Sequence, residues 1–120
     1  MATTKTILDT TVYGTPSGNY DGSSMDWVSD AVQASGYYRG YSGLQTVTFS
    51  FADFLGVMYV EATLDEIQDD ANWFTAYTIG DQSTAMSGIY APSIMGNFTW
   101  MRVRVDFFDG GTINSVTTTY

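Results

Sequence analysis

The chain contains no cysteine and no histidine. Disulfides, thiolate nucleophiles and the usual zinc or haem sites are therefore excluded. Catalytic triads and histidine general bases go with them. Positive charge is nearly missing as well. Lys5, Arg39, Arg102 and Arg104 stand against 13 acidic residues, for a formal net charge of −9. Such a balance argues against holding phosphate backbones, so no nucleic-acid partner is expected. With one lysine and two glutamates, Glu61 and Glu66, the chain is short of the residues that build exposed helices. Apolar runs are too short to cross a bilayer, so no membrane partner is expected. Residues 1–9 carry one lysine and no apolar h-region, which reads as a soluble protein made without secretion.

What remains is a sheet-forming composition. The 120 residues suit one domain with a single core. Hydrophobic residues make up 44% and aromatics 16%, and there are 17 threonines; Thr, Tyr, Phe, Val and Trp suit a pleated, half-buried surface. Residues 3–13 read as a first strand, 14–24 as a Gly/Ser/Asn loop, and 25–35 as a strand or short helical turn. In QTVTFSF, Gln45, Val47, Phe49 and Phe51 share one face. Met58, Val60, Ala62 and Leu64 share a face of the next strand, whose other face is also fairly apolar, as in a central strand. Residues 73–79 read as a strand and 80–88 as a polar loop. The segment around Pro92 reads as an edge. In 97–108, Met101, Val103, Val105 and Phe107 alternate with Trp100, Arg102, Arg104 and Asp106, the strongest strand pattern in the chain. Asp109-Gly110-Gly111 reads as a hairpin turn, and a parity break after Ile113 as a bulge in the last strand. The expectation is an all-β fold: a single antiparallel β-sandwich, jelly-roll-like, over 1–120, with 1–35 as an extended arm or edge strand.

Four constellations bear on chemistry. Asp65, Glu66, Asp69 and Asp70 cluster in one loop, but their spacing is not that of an EF-hand, and a solvated, repulsive loop is the plainer reading. Arg102 and Arg104 lie on one strand face with Glu61 and Asp106 in reach, which reads as an intramolecular charge ladder or as a grip on a partner's carboxylate. Tyr37, Tyr38, Arg39 and Tyr41 read either as an exposed interface or sugar platform or as core-filling tyrosines. Trp73 and Trp100 read as core or near-core residues, whereas Trp27 has less apolar company and reads as a contact residue. Eleven aspartates form pairs by chance, and nothing selects one pair for glycoside hydrolysis. No P-loop, nucleophile elbow or HExxH helix is present. No catalytic residue, cofactor or metal ligand set is assigned.

Three segments carry a family resemblance: 36–64, 72–74 and 96–120. Within them stand Phe54, Gly56, Glu61, Ala62, Thr63 and Leu64; Asn72, Trp73 and Phe74; Gly96, Asn97, Phe98, Trp100, Arg102 and Val105; and Gly111, Thr112 and Ile113. This pattern resembles a small β-rich module of virion structural proteins of tailed phages, notably those of marine cyanobacteria. The resemblance covers about half of the chain and leaves the first 35 residues unmatched. It implies a particle component located in the virion and not an enzyme. The expected role is a capsid decoration (cement) protein, bound in many copies to the major capsid protein or other virion proteins and self-associating. The alternatives are a carbohydrate-binding module of a tail or fibre, using Trp27, Tyr37, Tyr38 or Tyr41, and a neck or tail connector subunit.

Overall fold

A straight strand of 20 residues runs roughly 66 Å. The computed structural model contains two such strands, β5 (Leu44–Thr63) and β8 (Trp100–Thr119), yet its longest dimension is 39 Å. Both strands must bend. The structure describes residues 3–38, 43–68 and 71–120, without the side chain of Tyr38.

The fold is all-β, and no α-helix occurs among the described residues. Before β5 come β1 (Thr4–Leu8), β2 (Thr11–Val12), β3 (Trp27–Val28), β4 (Val32–Gln33) and a 3₁₀ turn at Ser35–Tyr38. Between β5 and β8 lie β6 (Phe74–Tyr90) and β7 (Ser93–Met95). All eight strands belong to one antiparallel sheet. β5 and β8 pair along its middle, β6 and β7 flank β5, and β1 to β4 flank β8 in succession. The central position expected for 57–64 is what the sheet shows. Residues 3–35 form its broken edge.

The bend is written in the register. Two steps on β5, from Leu55 to Val57, face four on β8, from Gly110 to Asp106. Two steps on β5, from Phe54 to Gly56, face five on β6, from Met86 to Asp81. Extra residues in the flanking strands turn the sheet through a corner. Asp53 (φ 55°) and Phe107 (φ 57°) take left-handed backbone there. Gly111 (φ 81°) lies where a Cβ would overlap the Asp53 carbonyl. On the broken edge, loop 13–26 covers the same level, between β2 opposite Thr112 and β3 opposite Val105. Its Met25 carbonyl accepts from Phe108 N (2.9 Å), and Asp26 Oδ1 accepts from Phe107 N (3.0 Å).

Beyond the corner the two halves of the sheet face each other across the core. Phe49, in the first half of β5, stacks on Tyr77, which pairs with Val60 in the second half. Tyr120 donates to the carbonyl of Gln33, which pairs with Trp100 some 20 residues away along β8. At the end opposite the corner, buried Gln45 ties the halves together. Its Oε1 accepts from Ser35 Oγ (2.8 Å), and its Nε2 donates to the carbonyls of Gly43, Ile94 and Gly96.

Four local expectations differ from the structure. Asp109-Gly110-Gly111 is a bulge inside β8 and not a hairpin turn. Phe108 is fully buried in place of Phe107, which is 42% exposed, so the inward face shifts by one residue before the glycines. Residues 52–56 do not separate two strands but form the corner of one. The stretch 80–88 lies within β6, although 82–85 have no partner on β5, so its polar character marks the corner bulge. The bulge expected near Ile113 is present: Ser50 and Phe51 pair with Ser115 and Ile113, skipping Asn114.

Candidate functional site: an arginine–aromatic plate

In the second half of the sheet, Met58, Val60 and Ala62 of β5 and Met101, Val103 and Val105 of β8 point inward and are fully buried. Strict alternation then commits their neighbours to the outer face. Thr63 pairs with Trp100, Glu61 with Arg102, Tyr59 with Arg104 and Val57 with Asp106. The opposed polar and aromatic side chains interlock across the two strands.

Glu61 is the hub. Its side chain is only 7% exposed, and both oxygens are engaged. Oε1 lies 2.8 Å from Arg102 Nε, and Oε2 lies 3.2 Å from Arg104 Nη1. Arg104 Nε faces Asp106 Oδ2 at 3.6 Å, an ion pair too long for a hydrogen bond. Each guanidinium also covers an aromatic ring. Arg102 sits 4.2 Å from the Trp73 centroid and Arg104 4.3 Å from that of Tyr59. These contacts hold a cation against a π face while its planar fork stays ordered. Tyr37 extends the plate by meeting Trp100 edge-on at 5.3 Å. The Trp100 indole N–H donates to the Glu66 carbonyl (3.1 Å). Exposed Leu64 and Ile67 adjoin these residues in the chain, whereas Phe74 pairs with inward-pointing Ala62 and packs on Phe98.

The four ladder residues cancel in formal charge, two positive and two negative. The plate is therefore not a basic patch. What it offers is oriented donors. Among the described residues, neither terminal amino group of Arg102, nor Nη2 of Arg104, makes a hydrogen bond. Both side chains are part-exposed, at 28% and 38%. Donors already fixed by an ion pair and a stacked ring lose little freedom when they bind acceptor oxygens. Such a surface supports recognition. The Glu61 carboxylate is sealed beneath its arginines, so it is not placed for acid–base work on an external substrate.

Of the residues expected as an interface or sugar platform, Trp27 is elsewhere. It is 7% exposed and packs with Tyr20 (5.3 Å) and Phe108 (6.0 Å) under loop 13–26. The apolar company absent from its sequence neighbours comes from β8 and the loop, and it is not a contact residue. Tyr37 is 41% exposed and joins the plate. It lies on the 3₁₀ turn, not on a strand with tyrosines filling the core. The Tyr38 side chain, Arg39 and Tyr41 lie outside the described residues, as do Asp69 and Asp70 of the acidic loop. Asp65 Oδ2 accepts from Asn72 N (2.6 Å), which closes that loop onto itself. Among the described residues, no three acidic side chains gather as a metal site. Sequence reading missed Tyr59 and Trp73 as plate members. Tyr59 shares the face of Glu61, and that parity was the available signal; Trp73 reaches the plate from the strand entry, where no alternation rule applies. A separate groove of about 130 Å³ between Ile7, Leu8 and Asp9 on one side and Asn19, Ser29 and Asp30 on the other is small for a drug-sized ligand.

The sequence matches no protein-family model and no curated protein.

Proposed function

We propose that this chain is a non-enzymatic structural component of a tailed-phage particle, a capsid decoration subunit held in many copies on the shell through the arginine–aromatic plate. The observation that carries the reading is the pair Arg102 and Arg104, fixed by Glu61 and stacked on Trp73 and Tyr59, with free amino groups facing outward. Tryptophan, tyrosine and arginine are enriched in binding hot spots, and exposed Leu64 and Ile67, next in the chain to Thr63 and Glu66, add apolar surface of the kind such interfaces mix with polar groups. The resemblance of 36–64 and 96–120 to virion modules supplies the particle context. The net charge of −9 favours solubility of the displayed surface. The guanidinium groups lying over Trp73 and Tyr59 weigh against those rings as a sugar platform.

Cosedimentation with shells lacking the protein tests this reading. Saturable binding is expected, with regular density on the shell lattice by cryo-EM. Arg102→Lys keeps the charge but loses the fork, and binding should weaken by about ten-fold while the fold persists. Absence of binding to shells, with binding to isolated tails instead, would sink the decoration role and favour a connector subunit.

A further inference from the structure

The small groove beside the end of β1 has a one-sided chemistry. Ile7 and Leu8, both buried, give it an apolar wall. Thr11, Ser17, Asn19 and Ser29 bring side-chain donors to its lining, and every one of those donors is engaged within the protein. Thr11 Oγ1 donates to the Asp9 carbonyl (3.0 Å), Ser17 Oγ to the Thr10 carbonyl (3.2 Å) and Ser29 Oγ to the Asp30 carbonyl (3.0 Å). Asn19 Nδ2 donates to the Val28 carbonyl and to Asp30 Oδ1, both at 3.0 Å. What stays open is acceptor oxygen: the Asp9 carboxylate, Asp30 Oδ2 and Asn19 Oδ1. Both carboxylates are exposed, and among the described residues no cation pairs with either.

We infer that this groove binds a primary alkylammonium group, with the ammonium at Asp9 and Asp30 and the alkyl stem along Ile7 and Leu8. Charge and hydrogen-bonding sense select the same ligand. It must bring positive charge to two unpaired carboxylates, and it must bring donors, because the lining's own side-chain donors are taken. An ammonium carries three donors and no acceptor. Its methylene stem lies along apolar surface while the charged head reaches polar groups, as lysine stems do. A hard divalent cation fits less well, since it takes about six to eight oxygens. Among the described residues no three acidic side chains gather to supply them, and Ile7 and Leu8 offer none from their side chains. A volume of about 130 Å³ admits the end of one chain-like group and not a cofactor. The net charge of −9 raises the local concentration of cations around the molecule. A lysine side chain of a partner protein and a free polyamine share this chemistry. No residue of the plate lines the groove, so the inference stands apart from shell docking.

Titration of the full chain with n-butylammonium chloride at constant ionic strength, read by amide NMR shifts, tests the inference. n-Butanol serves as the uncharged counterpart. Saturable shifts are expected at Asp9, Thr11, Asn19 and Asp30, with n-butanol binding at least about ten-fold more weakly. Asp30→Asn removes one of the two charges and should weaken n-butylammonium binding by about five-fold. Asp109→Asn removes the same charge from outside the groove and should leave binding unchanged. Nα-acetyl-lysine N-methylamide and spermidine separate the two sources. Tighter binding of the first assigns the groove to a partner's lysine and of the second to a free polyamine, and either upholds the ammonium site. Shifts that do not saturate overturn the inference. So do equal binding of n-butanol, equal weakening by the two variants, or calcium chloride saturating the same residues at a lower concentration than n-butylammonium.

Discussion

The corner of the folded sheet and its open end solve opposite problems by different means. At the corner, backbone conformation does the work: left-handed Asp53 and Phe107, Gly111 against the Asp53 carbonyl, and extra residues in both flanking strands. Beneath it an aromatic cluster of Tyr13, Tyr20, Trp27, Phe54 and Phe108 fills the bend. At the open end, side chains do the work, with the Gln45 amide holding two half-sheets together and Trp100 anchoring the acidic loop. The contrast sets where the chain tolerates change. Bends set by sterics admit few residues, whereas a surface of stacked side chains can be altered without refolding the sheet.

Phe108→Ala is the strongest way to break the corner. Its ring is fully buried and touches Tyr13, Tyr20, Trp27 and Phe54. The lost burial and the cavity together should cost about 4 kcal/mol. Tyr37→Ala, at the open end and 41% exposed, should cost about 1 kcal/mol or less. Chemical denaturation of both variants measures the contrast, and equal losses would abolish it. Gly111→Ala comes next. Its left-handed φ and the overlap with the Asp53 carbonyl should cost about 3 kcal/mol.

The sequence made the straight parts of this fold legible and the bent parts obscure. Gln45, Val47, Phe49 and Phe51 alternate in sequence and are buried together, as are Met101, Val103 and Val105. A period of two is local information. The corner is not local: Asp53, Phe107 and 82–85 leave that period because three strands turn at one level, and each break taken alone resembles a loop or a hairpin. Trp27 shows the same limit, since its partners lie in loop 13–26 and β8. The charge ladder was readable because Glu61 and the two arginines lie on strongly alternating strands. Its stacking on Trp73 was not, because that residue enters from outside the alternating stretch.

Gln45→Ala perturbs the open end in turn. It removes a buried amide and leaves the Ser35 hydroxyl and three carbonyls to find other partners, at an expected cost of about 2 kcal/mol. Exchange of Ser35 and Gly96 amides should rise while those of Phe108 and Ile113 stay protected. Loss of protection at both sites together would mean that the two ends unfold as one unit.

The mildest perturbation is acid, and it acts on the corner. Asp21 Oδ1 accepts from the backbone N–H groups of Ser23 (2.9 Å) and Ser24 (2.7 Å), and Oδ2 from the Ser24 hydroxyl (2.8 Å). These bonds, the Ser23 and Ser24 backbone donors first, lower its pKa from 3.8 to about 2. Beside the β6 bulge, Asp81 is lowered in the same direction by the Ser83 backbone N–H and hydroxyl. A folded-state pKa below the unfolded value means that the contribution is complete above about 3.8 and is lost as pH falls toward about 2. Both aspartates are exposed, Asp21 in loop 13–26 and Asp81 in β6 at the edge of its bulge, so the effect should be local. Across that window, the amides of Ser23 and Ser24 should lose protection, and that of Ser83 should do so as pH falls below the ordinary carboxylate value, while Val47 and Val103 in the sheet remain protected. Asp21→Asn keeps an acceptor oxygen but cannot titrate, and should flatten the response at Ser23 and Ser24 alone. A uniform acid response across corner and sheet would show that these two turns do not set the local stability of the bend.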